Sequence, residues 1–155
     1  MTLTPATGTP TTGTLDALQA TLAAEHAAIY VYGLLGGRTS SSAEPALHAA
    51  LSRGYDVHRG QRDQLVRTVR DLEAEPVASA VAYDVPDNPF SAFEVQGAAL
   101  YLEGRCTATY ASLIASSVGD LRRWGLSALT GAAVRRLAFG GDAEAFPGID
   151  VSAIR

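Results

Sequence analysis

Apolar residues recur at spacings of three and four in four separate stretches of this chain, and no stretch shows a convincing strand-like alternation. In the first, Leu15, Leu18, Leu22, Ile29 and Tyr32 share one line, with Thr14 or Asp16 placed to cap it. The run "GLLGGRTSSS" ends it, and Gly36 and Gly37 suit a left-handed cap. The second starts near Pro45, which a first helical turn tolerates, and carries Leu47, Leu51, Tyr55, Leu65 and Val69 to about Glu73. A third helix is predicted from about Phe93 to Val118, rich in Ala, Ser and Thr. The turn "SSVGD" leads to a fourth, from Leu121 to about Phe139. Residues 74–91 between the second and third hold three prolines and no helical period. Connections that long are uncommon in compact domains, so this one is expected to have a structural job.

The connection lengths carry the topology. Helix, short loop, helix, long connection, helix, tight turn, helix describes two helical hairpins joined by a long crossover. The expectation is an all-α, ferritin-like four-helix bundle over residues 15–140. Residues 1–14, mostly Thr, Pro and Gly, have little to bury and are expected to be a disordered tail. Residues 141–155 are expected to pack on the bundle, with Phe146 and Ile149 as apolar anchors.

Composition narrows the function classes. At 155 residues the chain can bury a core without disulfides, and its net charge of -4 offers no basic face for nucleic acid. Arg supplies all twelve basic residues, which codon bias explains. The single Cys106 excludes an internal disulfide and sits on the interior stripe of the third helix, as a small core residue. The N-terminal run lacks the basic and apolar parts of a signal peptide, and the uncharged stretch Cys106–Gly119 is too short to span a bilayer. A soluble, cytoplasmic protein that binds no membrane is expected.

The candidate chemistry lies in polar residues on the apolar stripes. Ferritin-like metal proteins hold two iron or manganese ions with one Glu from each of two helices and a Glu-x-x-His motif from each of the other two. Glu25 is in register with Leu18, Leu22 and Tyr32 and points inward, whereas His26 lies about 100° around the helix, at the stripe's edge. Glu103 is in register with Ala99, Cys106 and Tyr110. His58 is on the stripe of the second helix, but Tyr55 stands where the motif wants Glu, and Asp56 is about 200° away. The fourth helix has no Asp, Glu or His between Asp120 and Asp142. Only Glu25, His58 and Glu103 of the template are present, enough for one iron, manganese or zinc ion but short of a di-metal centre.

The competing account needs no metal. Buried charges survive in an apolar core when paired and hydrogen-bonded. Arg62, one turn beyond His58, would neutralise Glu25 and Glu103, with Tyr32, Tyr55 or Tyr110 as donors. The missing ligands favour this network, so no cofactor is expected, iron or manganese being the alternative. The doublets Arg122–Arg123 and Arg135–Arg136 are assigned to a solvated face.

The segments "LQATLAAEHAAIYVYG" and "HRGQRDQL", with Glu103, an Arg-rich fourth helix and the terminal "AFPG", resemble the ferritin-like family catalogued as domain of unknown function 4439. The resemblance runs from about Leu15 to Gly148 and implies a ferritin-like four-helix fold, with no established activity attached. The leading expectation is a non-catalytic structural or interaction module. The rival is a divergent metal-dependent oxidoreductase using Glu25, His58 and Glu103. A third is a small-ligand carrier with its pocket between helices. Tyr30, Tyr101 and Trp124 are candidates to line a small-molecule groove or a dimer seam, with ordinary packing the favoured reading. The small residues of helices three and four suggest close self-association, hence a homodimer.

Overall fold

Each of the four periodic stretches forms one helix. The computed structural model describes residues 12–85 and 89–150 and contains α1 (Thr12–Arg38), α2 (Pro45–Asp71), α3 (Ala92–Ser116) and α4 (Gly119–Ala138), with no strand among the described residues. Helix α1 takes in Thr12–Thr14, part of the expected tail; residues 1–11 and 151–155 lie outside the described residues. It also continues through Gly36 and Gly37 to Arg38, so neither glycine serves as a left-handed cap. Helix α3 opens with a capping box: Ser91 Oγ accepts from the Glu94 amide at 3.2 Å, and Glu94 Oε2 accepts from the Ser91 amide at 2.9 Å.

Three clusters fix the direction of each helix. At one end of the bundle, Tyr32 and Leu35 from the end of α1 meet Leu51 from the start of α2, Val95 and Ala99 from the start of α3, and Phe139 just past α4. At the other end, Leu18 and Leu22 meet Leu65, Val69 and Leu113. Helices α1 and α4 therefore run one way, α2 and α3 the other. The connection after α2 must return the chain along the whole bundle. Its structural job is visible along α1: the Gln19 side chain donates to Glu75 O at 2.6 Å and accepts from the Val77 amide at 2.9 Å. One face further along, His26 Nε2 lies 3.2 Å from Val77 O, and the Tyr30 and Tyr83 rings pack at 5.5 Å. The edge position expected for His26 is thus where it fastens the crossover.

Between the two ends, Ala28, Cys106, Ala128 and Ala132 surround the buried Tyr110. The small residues of α3 and α4 are spent on this interior approach; a Cβ on Gly125 would come within 3.0 Å of Ile114. Tyr32 lies so close over α2 that a Cβ on Gly54 would stand 2.5 Å from its ring. That contact holds the Tyr32 hydroxyl at the bundle axis.

Of the C-terminal segment, residues up to Asp150 are described, and Gly148 approaches α3. Phe146 and Ile149 are 61% and 54% exposed, too open to act as anchors. Backbone approach and charge do the anchoring instead: Gly148, with φ 77°, lies so close to α3 that a Cβ would meet Thr107 O, and Arg136 pairs with Glu144. Among the described residues, no helix is long and apolar enough to cross a membrane.

Candidate functional site

The inward positions predicted for Glu25, His58 and Glu103 are the ones observed, and all three side chains are fully buried. They meet at mid-bundle. His58 Nδ1 lies 2.6 Å from Glu25 Oε2, and His58 Nε2 lies 3.2 Å from Glu103 Oε1, so the ring bridges two carboxyl groups from two different helices. Tyr110 donates to Glu25 Oε1 and Tyr32 donates to Glu103 Oε1, each at 2.5 Å. Tyr32 also stacks on the His58 ring at 5.3 Å. Tyr55, the third tyrosine expected to donate, instead lies under the Arg59 guanidinium and takes no part.

The expected cation was the wrong arginine. Arg62 turns back along α2 and donates to Asp63 Oδ1 at 2.7 Å, with its side chain 28% exposed. The cation in the core is Arg135 of α4, which donates through Nε to Glu103 Oε1 at 2.7 Å and through Nη2 to Glu103 Oε2 at 3.1 Å. This fork is the geometry in which a guanidinium holds a carboxylate best. Arg135 therefore leaves the solvated face assigned to its doublet, and only Arg136 beside it reaches an acid near the surface. A signal for it was present in the sequence. Ala128, Ala132, Arg135 and Phe139 are spaced four, three and four, which puts Arg135 on the interior stripe of α4.

The protonation states follow from this arrangement. Burial opposes charge on His58, but the hydrogen bonds and charges of Glu103 and Glu25 outweigh it and hold the imidazole above the usual histidine range. A doubly protonated ring is what a bridge between two carboxyl groups requires. Burial would raise Glu103, yet the bonds from His58 and Arg135 hold it below the usual carboxylate range. Burial, reinforced by the neighbouring glutamates, raises both Tyr32 and Tyr110, which keeps them protonated as donors. Burial likewise raises Cys106, so its thiol keeps its proton and is no nucleophile.

The donor set does not fit a ferritin-type metal pair. Both nitrogens of His58 face carboxyl oxygens, leaving no lone pair free for a cation. Both oxygens of Glu103 are occupied by Arg135. At the two Glu-x-x-His positions stand Tyr55 with His58 and Ala132 with Arg135, so the fourth helix brings a positive charge where the template brings a ligand pair. Among the described residues, no group of three or more His, Cys, Asp and Glu is placed to hold a metal ion.

Comparison with known proteins identifies the family. The family described as "Domain of unknown function (DUF4439)" matches residues 17–151, and the chain belongs to it. No curated protein matches the chain. Among solved structures, the chain is similar to "a conserved hypothetical protein, rv2844, from Mycobacterium tuberculosis", at 23% identity and a TM-score of 0.76, over 83% of this chain and 95% of that one. At that identity the likeness carries the fold alone.

Two outcomes follow from the cluster. Arg135→Ala should destabilise the protein by about 3–5 kcal/mol in urea unfolding, because it strands a buried carboxylate. The matching Arg62→Ala should stay within about 0.5 kcal/mol, as surface substitutions do; equal losses would overturn the assignment of the cation. The second outcome concerns pH. With its pKa raised by folding, His58 contributes stability in full below the unfolded value of about 6.5, and that contribution is lost as pH rises through the folded value. With its pKa lowered, Glu103 contributes in full above about 4.3, lost as pH falls through its folded value. Unfolding midpoints measured across pH should therefore peak in the mildly acidic range, and His58→Gln should flatten the decline on the alkaline side.

Proposed function

We propose that this member of the DUF4439 family is a ferritin-like bundle without a di-iron centre, acting as a structural or interaction module and not as an enzyme. The single long crossover supports the ferritin-like reading of the topology. The observation that carries the rest is the Arg135 fork on Glu103. A guanidinium in that place supplies the positive charge that a metal would otherwise supply to the acids, and it offers neither an open coordination position nor a redox couple. No cofactor is required for the core to balance its charge.

The second reading is an iron- or manganese-dependent oxidoreductase using Glu25, His58 and Glu103. The convergence of these three residues from three helices favours it. It demands that Arg135 withdraw, and that His58 lose a proton and turn a nitrogen away from its carboxyl partner. Elemental analysis of freshly purified protein, before and after incubation with ferrous iron or manganese and dialysis, separates the two. The metal-free reading expects under about 0.1 metal per chain. A stoichiometric transition metal retained through dialysis would sink it.

The same reading takes the protein as cytoplasmic and homodimeric. Leu126, Val134 and Leu137, each about half exposed on the outer side of α4, support a self-association face. Light scattering at micromolar concentration should return twice the chain mass, and a monomeric mass would remove the dimer from the proposal.

A further inference from the structure

Away from the charged core, α1 and α3 leave a cavity of about 470 Å³ between them, part-covered by the crossover. It exists because the facing side chains are small: Ala24 and Ala27 on α1, Ala98 and Cys106 on α3. Larger residues at these positions would have closed the seam. The size is in the range of small-molecule sites. The floor is apolar and uncharged, since the Cys106 thiol keeps its proton.

The rim has a different character. Arg105 projects from α3 beside Tyr101, and its guanidinium donates to the Tyr101 hydroxyl at 3.3 Å. It forms no ion pair with any described acid. Asp84 lines the same cavity from the crossover, also without an ion pair among the described residues. Its neighbour Tyr83 is held in place: the hydroxyl accepts from the Ala80 amide at 2.9 Å, and the ring packs on Tyr30. One cation, one phenol and one anion thus border an apolar floor, and the two opposite charges are not spent on each other.

We infer that this cavity binds a small zwitterion with an apolar side chain, the chemistry of a free apolar amino acid. The ligand's carboxylate goes to Arg105 and Tyr101, its ammonium to Asp84, and its side chain onto the alanine and cysteine floor. A ligand with one charge satisfies one rim residue and sets its charge near a like charge on the other. A zwitterion satisfies both, which is why the pair of rim charges selects it. The site is separate from the Glu25–His58–Glu103 cluster, so it stands whether or not that cluster ever holds a metal.

Calorimetric titration of the full chain tests this with three matched probes: L-phenylalanine, 3-phenylpropionate lacking the ammonium, and phenethylamine lacking the carboxylate. L-phenylalanine should bind, with each truncated probe at least about tenfold weaker. Both rim residues are exposed, so Arg105→Gln and Asp84→Asn should fold normally, as a thermal unfolding curve would confirm. Arg105→Gln should weaken L-phenylalanine by about tenfold while phenethylamine, relieved of a like charge, binds no weaker than before, and Asp84→Asn should do the same with 3-phenylpropionate as the probe that is not weakened. No binding of L-phenylalanine at about 10 mM would overturn the inference, since a weaker site recognises nothing usefully. So would a truncated probe that binds as tightly, or indifference of L-phenylalanine to both substitutions.

Discussion

An ionised carboxylate in an apolar bundle needs a cation against it, and the Arg135–Glu103 fork supplies one here. The neighbouring residues are arranged around that requirement. His58 links Glu103 to Glu25 and so extends the balance to the second acid. Tyr32 and Tyr110 fill acceptor positions that the two bases leave open, one on each glutamate. Gly54 gives Tyr32 room to lie flat against α2, and Ala28, Ala128 and Ala132 leave room around Tyr110. Four helices are thereby tied at one level by side chains, with the apolar clusters reserved for the two ends.

A half-satisfied version of this cluster would be worse than an apolar core, because each unpaired member would carry its full desolvation cost. Completeness is what makes it tolerable. It also gives the bundle a register. A helix slid by one turn along its axis would keep most apolar contacts, since leucine accepts many neighbours, but would break every hydrogen bond in the cluster. The ends of the bundle supply burial, and the middle specifies alignment.

Most of the fold was legible in the sequence because period and connection length are local properties. The four helices, the long crossover and the inward positions of Glu25, His58 and Glu103 all follow from counting residues around a helix. The identity of the cation does not follow from the same count. Arg62 is the nearer candidate along α2, but a side chain one turn away on the same helix competes with its own neighbours, and Asp63 captures it. Arg135 comes from across the bundle, and the alanines on its stripe mark close packing without saying which side chain they make room for. The role of His26 was hidden differently: the edge of a stripe says where a residue lies, and only the path of the crossover says what it meets. Phe146 and Ile149 looked like anchors by residue type, while the backbone of Gly148 does the close packing.

The position of Arg135 in the chain has one more consequence. Helices α1, α2 and α3 carry both acids of the cluster and a single cationic partner for them, His58; the guanidinium that completes the balance arrives near the end of α4. Until α4 packs, the other three helices bring two acids and one cation to the same level. The charge balance of the interior thus depends on α4 being in place.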